Sequence, residues 1–99
     1  MDTKPITLIV KFQALPGMEA ELRRTLLGLL APTRKESGCI NYDLHAAPDD
    51  PAKFLFYENW TSQAHLDAHG QTAHVQNLRA RRDELCAEPP EFTFWEKIG

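Results

Sequence analysis

Two cysteines stand in the 99 residues, Cys39 and Cys86, far apart and with no C-x-x-C pair. They read as reduced thiols rather than as a disulfide framework. No Gly-rich phosphate loop, dinucleotide fingerprint or nucleophile elbow occurs, which removes the usual nucleotide and nicotinamide enzymes. The longest strongly apolar run is Leu26-Leu27-Gly28-Leu29-Leu30-Ala31. That is far short of the roughly 20 residues of a membrane span. Met1 to Pro5 lacks the basic-then-apolar pattern of an export signal. Nor is there an excess of positive charge: 11 basic residues face 14 acidic ones, a net charge of −3. A nucleic-acid footprint would need a clustered basic surface. Arg23-Arg24, Arg34-Lys35 and Arg79/Arg81/Arg82 are the local clusters, and each reads as a solvated helix face. These absences leave a soluble, cytoplasmic protein with no nucleic-acid and no membrane partner.

What is present fits one domain over residues 1–99. A lone domain of this size buries only about two-thirds of its unfolded surface. It has little room for both a core and a deep pocket.

Ile6 to Leu15 alternates as a strand, with Ile6, Leu8, Val10 and Phe12 on one face. Met18 to Ser37 repeats its apolar residues at helical spacing, and Pro32 should kink it or split off its last turn. Gly38 is placed to stop the helix in a left-handed conformation. Cys39 to His45 is a second strand, with Ile40, Tyr42 and Leu44 on one face. Ala46 to Pro51 is a turn, and Lys53 to Thr61 is a third strand, with Phe54, Phe56, Glu58 and Trp60 together. Thr61 or Ser62 caps a helical stretch, Gln63 to Ala87, broken near Gly70-Gln71-Thr72. Glu91 to Ile98 is the last strand.

The order β-α-β-β-α-β predicts an α+β, ferredoxin-like antiparallel sheet with its helices on one face. The strands are apolar on both faces, with Ile9, Leu55, Tyr57 and Trp95 away from the helices. A second sheet is the simplest cover, so the expected assembly is a homodimer packed sheet to sheet.

Three of the four histidines, His65, His69 and His74, fall within ten residues. His65 and His69 share a helix face and could hold zinc with Glu58 or His74 as third ligand, but no H-E-x-x-H or nearby cysteine supports it. His69 and His74 follow directly on Glu58 and Trp60. A histidine near a carboxylate can act as a general base, and a tryptophan offers a flat wall with one donor. Spacing alone favours the plainer roles, with Glu58 capping or pairing with a helix residue and Trp60 in the core. Tyr42 could donate to a ligand or simply fill a hairpin core; Phe54 and Phe56 read as core.

The strings Glu36-Ser37-Gly38-Cys39-Ile40-Asn41-Tyr42, Phe54-Leu55-Phe56-Tyr57-Glu58-Asn59-Trp60 and Leu66-Asp67-Ala68-His69, followed by His74, resemble the antibiotic biosynthesis monooxygenase family. The E-x-G-C-x-x-Y, E-x-W and H-x-x-x-x-H elements occur in that family's order. The resemblance implies a dimeric α+β barrel that oxidises a small aromatic or quinol-like substrate with molecular oxygen, without metal or flavin. It implies His69 as base or anion stabiliser, His74 as its partner and Glu58 orienting a histidine. Trp60, Tyr42 and Phe54 would shape the pocket. Haem-degrading members use an Asn that the first strand here lacks, so that branch is disfavoured. Other members isomerise a phosphorylated dione related to autoinducer-2, which would need cations such as Arg79 or Lys11. A small-molecule-binding dimer without turnover is the third expectation.

Overall fold

The structure is a computed structural model, and it describes residues 4–99. Met1 to Thr3, part of the expected domain span and of the stretch without an export signal, lie outside the described residues. The chain runs β1 (Ile6–Gln13), α1 (Glu19–Leu27), α2 (Leu30–Arg34), β2 (Cys39–Ala47), β3 (Asp50–Trp60), α3 (Gln63–Gly70), α4 (Ala73–Leu85) and β4 (Glu91–Trp95). The strands form one four-stranded sheet in the order β2-β3-β1-β4, every neighbouring pair antiparallel. This is the expected α+β, ferredoxin-like order, and Leu8, Val10, Phe12, Phe54, Phe56 and Trp60 all point into one core with Leu22, Leu26 and Leu85. No helix among the described residues is long and apolar enough to cross a membrane.

Cross-strand register carries the site. Tyr42, Glu58, Leu8 and Phe94 form one row across all four strands on the core face. Leu44, Phe56, Val10 and Phe92 form the next, and Cys39, Trp60 and Ile6 the row on the other side. The opposite face carries a polar row, in which Asn59 Nδ2 donates to Asn41 Oδ1 over 2.7 Å and the Thr7 hydroxyl donates to Asn59. Tyr57 and Trp95 stand exposed on that same face.

One local expectation is met and three need correction. As expected of Pro32, the last part of the first helix is split off, as α2, with the break at Gly28-Leu29. A proline ring crowds the carbonyl four residues earlier, here that of Gly28, so the chain breaks there and Pro32 sits in the first turn of α2, where its missing N–H is not needed. In β2 a bulge between Cys39 and Asn41 ejects Ile40, which is exposed, while Cys39 takes the place opposite Trp60. One extra residue on a strand shifts the alternation by one. The hairpin is tighter than expected, since Ala47 already pairs with Asp50. Finally, β4 ends at Trp95, so Lys97 and Ile98 lie beyond the strand.

The basic cluster on α4 is also not a plain solvated face. Arg81 Nη2 pairs with Glu21 Oε2 at 3.2 Å and its Nη1 donates to Thr25 Oγ1, tying α4 to α1. Arg79 and Arg82 turn toward the cavity described next.

Candidate active site

Three local devices assemble the site. Gly38 adopts φ +84°, a left-handed turn that a side chain resists, and a Cβ there would lie 2.2 Å from Cγ of His65. The turn delivers Glu36 to the start of β2. Ser62 caps α3 by accepting from the His65 N–H at 3.3 Å, so of the two capping candidates Ser62 takes the role. Thr72 caps α4, accepting from the Val75 N–H, and its hydroxyl donates back to the His69 carbonyl at 2.7 Å. The corner between α3 and α4 therefore puts His69, in the last turn of one helix, next to His74, in the first turn of the other.

Both histidines meet one oxygen. His69 Nδ1 donates to Glu36 Oε2 at 2.9 Å, and His74 Nε2 donates to the same atom at 2.7 Å. A carboxylate only accepts, so these two ring nitrogens carry the protons. His69 Nε2 is then the lone-pair nitrogen, and it has no partner among the described residues. Burial lowers the pKa of His69, and the bond to Glu36 opposes that. The ring is thereby kept neutral and basic at one nitrogen.

His69 is wrapped by aromatics. Its ring lies 4.7 Å from that of Trp60 and 5.4 Å, edge to face, from that of Tyr42. Tyr42 stacks on Phe56 at 4.4 Å. Burial raises the Tyr42 pKa far above the ordinary tyrosine value, with Glu58 adding to it, so the phenol stays protonated. Glu58 is 2% exposed, and Trp60 Nε1 donates to its Oε1 at 2.8 Å. Burial pushes its pKa up to about 7 against the opposing Trp60 bond, with Glu36 adding to the rise.

A cavity of about 390 Å³ opens over the two central rows of the sheet. That is the size of a compact aromatic ligand's site. Tyr42, Glu58 and His69 line it, with Phe92 and Phe94 of β4 on one side and Arg79 and Arg82 of α4 on the other. Trp60 and His74 stand behind this lining and reach the cavity through His69. Phe54 does not belong to it. It sits one row beyond Phe56 and faces a separate groove that Lys11 and Lys53 also line. Glu58 makes no hydrogen bond to a histidine, and Glu36 occupies the position expected of it. His65 is also apart, its Nδ1 engaged by the Ser62 and Thr61 hydroxyls at 2.8 and 3.0 Å. The His65–His69 zinc pair is therefore not assembled. The three described groups that could hold a metal ion are Glu36, His69 and His74, whose ligand atoms lie within 4.8 Å of one another, and both histidines already donate to Glu36.

Cys39 and Cys86 are free. Burial raises both thiol pKa values, with Glu36 and Glu58 adding to the rise at Cys39, so neither is poised as a thiolate.

Comparison with known proteins gives the family. Putative monooxygenase Rv0793 of Mycobacterium tuberculosis is 34% identical over 91 residues, which cover 92% of this chain and 89% of that protein. Its solved structure matches with a TM-score of 0.91, covering 97% of each chain. The crystal structure of PA3566 from Pseudomonas aeruginosa matches with a TM-score of 0.93 at 32% identity, covering 97% of this chain and 96% of the other. Putative monooxygenase YcnE of Bacillus subtilis is 29% identical over 84 residues, 85% of this chain and 88% of its own. Residues 5–81 match the antibiotic biosynthesis monooxygenase family. With that match and these relatives, the chain belongs to the antibiotic biosynthesis monooxygenase family.

Proposed function

We propose that this protein is a monooxygenase that oxidises a small phenolic or quinol-like substrate with molecular oxygen, the electrons coming from the ionised substrate itself. The observation that carries this reading is His69, backed by Glu36 and with no partner at Nε2 among the described residues, at an apolar aromatic cavity. Oxygen reacts slowly with closed-shell organics, whereas a phenolate or carbanion gives up an electron readily. His69 Nε2 takes the substrate proton. Glu36, held also by His74, stabilises the imidazolium that forms. Trp60 and Tyr42 keep the ring in place and the surroundings dry. For a substrate RH2 the balance is RH2 + O2 → R=O + H2O, with one oxygen atom inserted and one reduced to water.

Two of the relatives carry the name putative monooxygenase, which supports the reaction class. A homodimer is part of the proposal: the sheet face away from the helices carries exposed Tyr57 and Trp95 and half-buried Ile9 and Leu55 around the Thr7–Asn59–Asn41 row, apolar area that a second copy would cover. Two free cysteines accord with a cytoplasmic setting.

Oxygen uptake by chelator-treated protein with a panel of hydroquinones and anthrones tests the reading. Uptake above background, lost in His69→Ala, is expected; no uptake with any of them removes it. The isomerase reading gains from Arg79 and Arg82, which line the cavity and could hold a phosphate, whereas Lys11 faces the other groove. It predicts proton exchange on a phosphorylated dione without oxygen. Thermal stabilisation by ligands with no product would mark a binding protein instead.

A further inference from the structure

Glu58 is the unexplained group of this site. It is a carboxylate set in the middle of a cross-strand row otherwise made of Tyr42, Leu8 and Phe94. It is 2% exposed, it lines the cavity, and one donor reaches it, Trp60 Nε1 at its Oε1. Its Oε2 has no donor among the described residues. A structural carboxylate would have both oxygens bonded, because an unpaired buried charge is costly. A carboxylic acid that must meet a ligand would keep one oxygen free. The facing groups fit a protonated state: Glu36 and Tyr42 from the β2 side, with neutral His69 from α3, while Arg79 and Arg82 line the outer part of the cavity.

We propose that Glu58 is a second proton-transfer residue of the cavity, which delivers the proton that lets the O–O bond of a substrate peroxide break. This rests on the monooxygenase reading. After His69 takes the first proton, the substrate anion forms a C–O bond to oxygen, giving RH–O–O⁻. The proton held on His69 Nε2 passes to it, which makes RH–OOH and frees His69 as a base again. His69 then removes the remaining proton on that carbon, and the C–H electron pair becomes the C=O bond as the O–O bond breaks. The leaving oxygen departs as water by taking a proton from Glu58. Two protons leave the substrate, the first from the O–H or C–H that ionises and the second from the oxygenated carbon, and two reach the departing oxygen; the proton left on His69 then restores Glu58, so the cycle needs no external reductant. Without the acid, hydroxide is a poor leaving group: a hydroquinone then loses peroxide instead, QH2 + O2 → Q + H2O2, and an anthrone is left as its organic hydroperoxide.

The test compares wild type with Glu58→Gln, which keeps an acceptor for Trp60 Nε1. Oxygen consumption and peroxide release are followed together on a hydroquinone or anthrone that wild type turns over. The variant is expected to cut the water-forming branch on the order of 10²-fold while peroxide or organic hydroperoxide appears. An unchanged partition between water and peroxide overturns the role of Glu58 and leaves the monooxygenase reading standing. No oxygen uptake by wild type overturns that reading and this one with it. Should the variant fail to fold, wild type alone decides. Its peroxide fraction should rise as pH climbs through about 7, where Glu58 loses its proton, and a flat partition across neutral pH overturns the proposal.

Discussion

The indole N–H of Trp60 donates to Glu58 Oε1 over 2.8 Å, between residues two apart on one face of β3. The same indole ring lies 4.7 Å from the ring of His69. One fully buried side chain therefore touches both groups proposed to move protons in the cavity, Glu58 and His69.

Trp60→Phe removes the donor and part of the volume. The donor favours the ionised carboxylate, so its loss should move the Glu58 pKa further above about 7. The expected stability loss is about 1–3 kcal/mol, from lost packing and a lost hydrogen bond. Urea denaturation measures the second effect, and side-chain carboxyl NMR the first.

Glu58 also gives stability a pH dependence. Its pKa is 4.5 ordinarily and about 7 when folded. A raised folded pKa means that the native state holds its proton more tightly than the unfolded chain. The benefit is fully present below 4.5 and is lost as pH rises to about 7, with no further change above. The size is on the order of 3 kcal/mol. Comparing urea midpoints of wild type and Glu58→Gln across this window isolates its contribution, because every other group is common to both. Parallel curves would show that Glu58 is ionised throughout.

Glu36→Gln leaves a group that can accept from one imidazole but carries no charge. Loss of imidazolium stabilisation should lower kcat on the order of 10²-fold, with KM little changed, since Glu36 does not line the cavity. His74→Ala should cost less, as it leaves the Glu36–His69 bond in place. Steady-state oxygen uptake reports both.

Gly38→Ala would meet both a left-handed φ and the His65 ring, with Cβ at 2.2 Å. A loss of about 1–3 kcal/mol is expected. Because Glu36 hangs on the same turn, activity should fall more than stability alone explains. A thermal melt run beside an activity assay on the folded fraction separates the two.

The alternation in β1 and β3 made the sheet legible, since a period of two decides which side chains share a face. Turn and cap residues such as Gly38, Ser62 and Thr72 marked where helices stop and start. What spacing does not carry is a bulge: nothing in Cys39-Ile40-Asn41 announces that Ile40 will be ejected. Nor does it carry contacts over long separations. Glu36 lies 33 and 38 residues from the two histidines it joins, while Glu58 is nearer in sequence and drew the role. The E-x-G element was the available signal for Glu36. Phe54 shares a face with Phe56 and Glu58, yet membership of a face does not say which row the helices leave open. Phe92 and Phe94 read as strand residues only, and their place in the cavity wall depends on β4 pairing beside β1 rather than elsewhere.

β4 is five residues long, pairs with β1 alone and has four of those residues exposed, yet it supplies Phe92 and Phe94 to the cavity. The outer wall of the site is thus an element of low local stability, of the kind that opens before the rest of a fold does. Admitting a larger guest costs the free energy of detaching one short edge strand, with α1 and the core undisturbed. Amide exchange in β4 would then report how freely the chamber breathes, and a bound guest that bridges Phe94 to Tyr42 would slow it.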